Sequence, residues 1–478
     1  MSGTIINYVD AICGSGKTTE LIRHIDNNFG YRKNRICVVQ PTAKLLRQTE
    51  AILSSMGIPA TIIAGTDDKI KYVSQNIIKK IVDYVKDNDS QHVLLITHAA
   101  FLAIEHWDNP GKWNIFVDEI PSIAPSETIN IVGGSLHIKN IFDATHVHTS
   151  MNYYSITAIA AGSLQNAEKA GYKTVVQWAK NRNMDVYCLK SQFDNVSLET
   201  AKQITFYGFL KPDIFDGFNS TTILSAHFVG SMIYHAWKNK VKFIKSHEIG
   251  SGNPRHLLGC RKLTIHYISR MDYSKSLMER HGLTESMTAI EGAIKTIING
   301  EEFIWAANNN IPDNYVQIKN RMRISNVSHG INDYRHINKV LILSALNHSP
   351  AHMAALLELC AIDPDQIREG VSHASIYQTI LRSSLRESIT RGSRINSAAF
   401  SDVDVIVPDL KFASWFGGLF VGEVHVVPLI EGLFESAQTK PMAMSAADRQ
   451  RKHREKIRNE KLSLNNYRLM PVGSCSLR

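Results

Sequence analysis

Short apolar runs, each closed by a polar or turn residue, punctuate the first half of the chain. Ile5-Ile6-Asn7-Tyr8-Val9, Arg35-Ile36-Cys37-Val38-Val39-Gln40, His92-Val93-Leu94-Leu95-Ile96, Trp113-Asn114-Ile115-Phe116-Val117 and Thr221-Thr222-Ile223-Leu224 have the length and composition of strands buried on both faces. Helical spacing falls between them, over residues 19–25 and again where Leu45, Leu46, Thr49, Ile52 and Leu53 form a largely apolar stripe. Buried strands alternating with amphipathic helices predict a parallel sheet covered on both sides. Such sheets bind their ligands just past the strand C-termini, and there the chain carries Pro41-Thr42, Thr97-His98, Asp118-Glu119 and Ser225-Ala226-His227.

A second α/β region follows. Its candidate strands are residues 241–244, 263–267, 302–306 and 340–343, and its helical patterns cover 284–298, 351–360 and 372–389. Residues 122–219 read differently, with Gly133-Gly134, a helix around 164–179 and mixed short strands. They are an insertion in, or an elaboration of, the first domain. At 478 residues the chain is too long for one compact core. The expected division is a first domain over 1–230, with the insertion at 122–219, a second over 231–425, and a tail over 440–478. In that tail Ser445-Ala446-Ala447-Asp448 has the form of a capping box, and would open a helix rich in Arg and Lys. The basic helix is either an arm on a phosphate backbone or a solvated terminus.

Ala11-Ile12-Cys13-Gly14-Ser15-Gly16-Lys17-Thr18 joins the first strand to the first helix and has the pattern of a phosphate-binding loop. Backbone N–H groups of such a turn, with the helix N-terminus, make an anion site. Lys17 would reach the β- and γ-phosphates, and Thr18 would give an oxygen to Mg²⁺. Ala11 replaces the usual first glycine, while Gly14 and Gly16 keep the close approach open. Asp118-Glu119, at the end of an apolar strand, is the complementary half. Asp118 would hold Mg²⁺ through its water shell, and Glu119 would polarise the attacking water.

A net charge of +9 favours a polyanionic partner, nucleic acid being the commonest. The six cysteines are scattered without a CxxC pair, which argues against a zinc or iron–sulfur site and against a secreted disulfide framework. His146 and His148 have no carboxylate or cysteine cluster beside them and read as ordinary histidines. No apolar run is long enough to span a bilayer, and the first strand leads straight into the loop without a signal peptide. The expectation is a cytoplasmic protein without a membrane partner, in the host cytoplasm for a phage-encoded chain.

Motif by motif and in order, residues 1 to 390 resemble the superfamily 2 helicases, the DEAD/DEAH-like group. Residues 11–18 are similar to motif I, Gln40-Pro41-Thr42-Ala43-Lys44-Leu45 to motif Ia, and Asp118-Glu119-Ile120-Pro121 to the DExx box. Ser225-Ala226-His227 resembles the Ser-Ala-Thr of motif III, and Ser328-His329-Gly330-Ile331-Asn332-Asp333 resembles motif V. Tyr377-Gln378-Thr379-Ile380-Leu381-Arg382-Ser383-Ser384-Leu385-Arg386 resembles motif VI. The resemblance implies two RecA-like domains with ATP and Mg²⁺ between them. Gly14, Ser15, Gly16, Lys17, Thr18, Thr19, Gly330 and Asn332 would bind the nucleotide. Gln378, Arg382 and Arg386 would reach the γ-phosphate from the second domain. Pro41, Thr42, Thr97, His98 and Ser225 would contact nucleic acid or couple to it.

Departures from the family pattern are visible. The interval between Glu119 and Ser225 is longer than usual, so either a subdomain is inserted or motif III lies elsewhere. His227 replaces the Thr of motif III, and Leu381 stands where motif VI has Gly. The second Arg falls one residue late, which makes Arg382 the better finger candidate. No adenine-reading Gln motif precedes the loop.

The resemblance therefore implies an ATP-driven helicase or translocase on single-stranded or forked nucleic acid. The layout is similar to compact phage and plasmid helicases, so DNA is preferred to RNA, with replication or recombination proteins as partners. The alternatives are a non-unwinding translocase or packaging ATPase, and a basic nucleic-acid-binding scaffold with a vestigial ATPase. A packaging enzyme would carry an acidic nuclease cluster after the ATPase, which the C-terminal region lacks.

Overall fold

The computed structural model describes residues 4–29, 35–65, 74–86, 93–131, 138–147, 152–159, 171–197, 203–247, 249, 256–257, 262–273, 283–309, 311–326, 334–386 and 401–432. The described residues up to Ile430 form one compact unit. The motif V-like Gly330 and Asn332 and the basic helix expected after Ser445 lie outside the described residues.

Strands β1 (Ile5–Asp10), β2 (Arg35–Gln40), β3 (Ala60–Ile63), β4 (Val93–Thr97) and β5 (Trp113–Asp118) come first. Next are β6 (Ser126–Asn130), β7 (Phe142–His146), β8 (Tyr153–Ala158), β9 (Met184–Leu189) and β10 (Gln203–Leu210). The chain then returns through β11 (Ser220–Ser225) and β12 (Lys242–Lys245). After a two-residue β13 (His256–Leu257) come β14 (Leu263–Ser269), β15 (Phe303–Ala306), β16 (Arg321–Arg323) and β17 (Lys339–Ile342). The last are β18 (Val403–Asp409), β19 (Phe420–Val421) and β20 (Val424–Pro428).

Among the described residues two large parallel sheets result, as the alternation of buried strand and helix requires, beside the short parallel pair β13-β19. The first has seven strands in the order β12-β1-β11-β5-β2-β4-β3, and the second has six, in the order β16-β15-β17-β18-β14-β20. The central strand β5 is buried along its whole length. One apolar cluster fills each face of the first sheet, and another fills the second lobe.

Between Ser126 and Leu210 the described strands form a separate five-stranded antiparallel sheet, β6-β10-β9-β8-β7, with its own core around Phe142, Val176 and Phe206. It separates β5 from β11 in sequence while the two pair directly in space, Leu224 opposite Asp118. The long interval between Glu119 and Ser225 is thus an excursion that leaves and re-enters the first sheet at neighbouring strands.

Three sequence expectations need correction. Residues 242–245 belong to the first sheet, paired with β1, not to the second region. Phe243 explains it: its ring packs against Tyr8 and Phe228, so the strand buries its apolar side there. A division after residue 230 would strip the first sheet of that edge. The helix Pro350–Cys360, expected in the second region, adds Ala355 and Leu356 to the first lobe's core. Its His352 ring lies 5.4 Å from Tyr207 of the inserted sheet, and Glu358 accepts from Asn152.

The helix expected over 372–389 stops at Ile380, and residues 387–389 lie outside the described residues. Pro364–Arg368 is α-helical, Glu369–His373 makes a π turn, and Ala374–Ile380 is α-helical again before the chain turns at Leu381. Ile367 packs in the first lobe's core, whereas Ile376, Tyr377 and Ile380 pack in the second's. The π turn is where the run passes from one lobe to the other.

Candidate nucleotide site between the lobes

Strand β1 ends at Asp10, the loop crosses residues 11–16, and the helix Lys17–Phe29 starts at its far side. Gly14 and Gly16 have φ of 81° and 83°, a region open to glycine and costly for a side chain. Across the sheet, Ala11 N–H donates to the Ser225 carbonyl at 3.2 Å, tying the loop to the end of β11.

Asp118 meets the loop from β5. Thr18 Oγ1 donates to Asp118 Oδ2 at 2.9 Å, and Gln40 Nε2 donates to the same oxygen at 3.0 Å. Gln40 is itself oriented by Thr49, whose hydroxyl donates to its Oε1 at 2.9 Å. Asp118 is 4% exposed. Burial, followed by the adjacent Glu119 carboxylate, pushes its carboxyl above the ordinary range, against the opposing pull of Gln40, Thr18 and Lys17. A hydroxyl beside a carboxylate is an all-oxygen donor set, which suits a hard divalent cation such as Mg²⁺.

Glu119 sits at φ 68°, rare for a residue with a Cβ, and its N–H is held by the Leu224 carbonyl at 2.8 Å. Pairing with β11 thus fixes a strained backbone at the residue assigned to water activation. Lys17 Nζ rests on the Ile12 and Ala11 carbonyls at 3.1 and 3.3 Å. Ser15 Oγ is buried without a hydrogen-bond partner among the described residues.

The second lobe supplies the opposite wall. Arg386 lies directly over the loop: a Cβ at Gly14 would meet its Cγ at 3.1 Å and its Nε at 3.5 Å. Burial lowers the Arg386 pKa, Cys13 and Glu119 raise it, and the neighbouring Arg382 and Arg335 guanidiniums lower it further. Clustered guanidiniums repel one another, and a bound polyphosphate would relieve that repulsion. Arg382, the finger candidate favoured by sequence, is 5% exposed just past the helix end, while Arg386 is the one against the loop. Gln378 faces a cavity of about 460 Å³ shared with Glu119, His98, Ser225 and His227.

Four of the residues expected on nucleic acid make hydrogen bonds within the protein. Thr42 and Thr97 are N-caps, accepting from Leu45 N–H and Ala100 N–H at 3.3 and 3.2 Å. His98 Nε2 donates to the Asp118 carbonyl at 3.0 Å, since a carbonyl can only accept, and this sets the ring's tautomer. Ser225 is 3% exposed and its hydroxyl donates to the Ala226 carbonyl at 3.0 Å. Thr19 lies in the first turn of the helix after the loop, and Pro41 in the bend just before Thr42. Sequence reasoning passed over Arg335 and the anchoring roles of Gln40 and Tyr377, whose signal was their place inside or beside recognised motifs.

No protein-family model matches the chain, and no curated protein matches it. Among solved structures, S. tokodaii Xpd4 is similar at 10% identity and a TM-score of 0.44, covering 89% of this chain and 96% of that one. S. cerevisiae Dbp5 bound to RNA and ADP BeF3 is similar at 12% identity and a TM-score of 0.34, over 89% of this chain and 86% of that one. The DEAD-box helicase Mss116 bound to ssRNA and UDP-BeF is similar at 11% identity and a TM-score of 0.32, over 91% of this chain and 73% of that one.

Proposed function

We propose that the chain is an ATP-dependent nucleic-acid translocase of helicase type, hydrolysing ATP between its two lobes. One observation carries this reading. A phosphate loop whose Thr18 is bonded to a buried strand-end carboxylate faces an arginine from the other lobe, stacked on Gly14. Loop amides from Gly14 to Thr19 would hold the phosphates, with Lys17 leaving its two carbonyl partners for them. Thr18 and Asp118 would hold Mg²⁺, which supplies charge neutralisation on the phosphate oxygens when bound. Glu119 orients and deprotonates the attacking water, and Gln378 borders the same cavity as Glu119. Arg386, with Arg382 behind it, meets the developing charge on the γ-phosphate. Because these arginines come from the second lobe, the site is complete only when the lobes are together. Gly330 and Asn332 belong to the same proposed site.

The substrate of the motor is nucleic acid, single-stranded or forked, with DNA ahead of RNA and replication or recombination proteins as companions. The net charge of +9 supports a polyanionic track. Equilibrium binding of a fluorescent ATP analogue, with hydrolysis followed by phosphate release, tests the nucleotide site. Binding and turnover in the native protein, both lost in Lys17→Ala, are the expected result. Turnover that persists in Lys17→Ala would refute the assignment.

A further inference from the structure

The peptide unit between Ile12 and Cys13 is held from both sides. Its carbonyl accepts from Lys17 Nζ at 3.1 Å and from Ser15 N–H at 3.3 Å. Its N–H donates to the Tyr377 hydroxyl at 2.8 Å. Lys17 and Ser15 belong to the loop itself, but Tyr377 comes from the helix Ala374–Ile380 of the second lobe. Packing delivers that hydroxyl. The side chain is 3% exposed, and its ring stands edge-on to Trp415 at 6.0 Å and against Phe416 at 6.3 Å. Burial also holds the phenol well above its ordinary pKa, so the hydroxyl stays neutral.

We propose that Tyr377 is a positioning residue for the phosphate loop, fixing the Ile12–Cys13 peptide from the second lobe. The proposal rests on the nucleotide-site reading above. Lys17 is the group that must leave the Ile12 carbonyl when phosphates arrive. The carbonyl then keeps only the Ser15 N–H, and rotation of the peptide plane would exchange the sides on which N–H and C=O stand. The Tyr377 bond opposes that rotation, because it would leave a part-buried N–H without its acceptor. The bond spans the lobes, so it is made only while they are together. Loop geometry and lobe closure thereby become one event, and the effect belongs in turnover more than in initial binding.

Tyr377→Phe is the test, since it keeps the ring on Trp415 and Phe416 and removes only the hydroxyl. In the nucleotide-free protein, site-resolved hydrogen exchange at the Cys13 amide is expected to quicken about ten-fold, the usual worth of one such bond. Turnover of ATP is expected to fall about ten-fold with KM little changed. Unchanged exchange at Cys13 overturns the proposal, whatever the activity. Unchanged turnover in Tyr377→Phe, alongside loss in Lys17→Ala, overturns it while leaving the nucleotide site standing. Faster exchange throughout the second lobe, the signature of a loosened core, overturns it as well. A native protein that binds no nucleotide would sink the site assignment instead, and the exchange comparison would still report on the bond alone.

Discussion

Two helical glycines make opposite predictions for the same substitution. Gly370 lies in the π turn Glu369–His373, and its φ is not positive, so alanine meets no backbone penalty there. Helix propensity would favour Gly370→Ala by about 0.5–1 kcal/mol. The surroundings reverse that sign. An added Cβ would lie 2.8 Å from Met232 N, 3.0 Å from Met232 Cγ and 3.2 Å from the Gly230 carbonyl oxygen. Two of these three are backbone atoms, anchored by the turn Phe228–Gly230 and the helix that starts at Met232. Relief therefore requires the π turn and the first lobe to part slightly, and overpacking of this kind costs about 1–3 kcal/mol. The net is a loss of roughly 1–2 kcal/mol. Gly292, in the helix Leu283–Ile298, has nothing within 4 Å of its Cβ position. There Gly292→Ala keeps the full propensity gain. Scanning calorimetry of the two variants should show Tm lowered by about 2–4 °C for Gly370→Ala and raised by about 1–3 °C for Gly292→Ala. Hydrolysis should suffer only in the first, because its π turn leads directly to Tyr377 and Gln378. A Gly370→Ala protein as stable as the native one, with native turnover, would refute the close contact between turn and lobe.

Three further outcomes follow from the titrating and charged groups. Asp118→Asn should abolish hydrolysis yet raise Tm at a pH where the native carboxylate is ionised, because burial and Glu119 raise its pKa and make that ionised form costly. That gap should close as pH falls through the raised value and the native group protonates. Calorimetry across pH checks it, and a lower Tm for the variant at every pH would contradict it. His373, with both ring nitrogens lacking a hydrogen-bond partner among the described residues, is pushed down to about 4 by burial, against the pull of Glu369. Its folded pKa is depressed, so its contribution is intact above about 6.5 and is lost as pH falls toward 4, up to about 3 kcal/mol. His373→Phe, packed on Phe412 and Trp415, should flatten that acid limb in denaturant titrations. Arg386→Ala should lower kcat about 10²–10³-fold, the range for loss of one donor to developing charge. A smaller loss there than in Arg382→Ala would return the finger role to Arg382.

The central strands were legible because a parallel sheet buried on both faces leaves nearly continuous apolar runs, as in Arg35–Gln40 and Trp113–Asp118. The strand Val403–Asp409 was missed although it sits at the centre of the second sheet. Its Asp404 breaks the apolar run, and that carboxylate is paired with Lys339 at 2.7 Å and His266 at 2.9 Å inside the lobe. Strand Lys242–Lys245 was seen but assigned to the wrong sheet, since no local pattern says which lobe Phe243 will pack against. The helical pattern read from residue 372 does not reveal the π turn at Glu369–His373; the change of packing partner, from Ile367 to Ile376, gives that turn its cause. At the site, loop and carboxylate were readable as motifs in sequence. Which of Arg382 and Arg386 lies against the loop was not, because it depends on where the chain turns after Ile380.

Steady-state ATP hydrolysis with and without single-stranded DNA, and with single-stranded RNA in parallel, tests the central claim most directly. Strong stimulation by nucleic acid, larger with DNA and lost in Lys17→Ala and in Arg386→Ala, is the expected result. Hydrolysis indifferent to both polymers would contradict the coupled motor and turn attention to a protein or small-molecule partner.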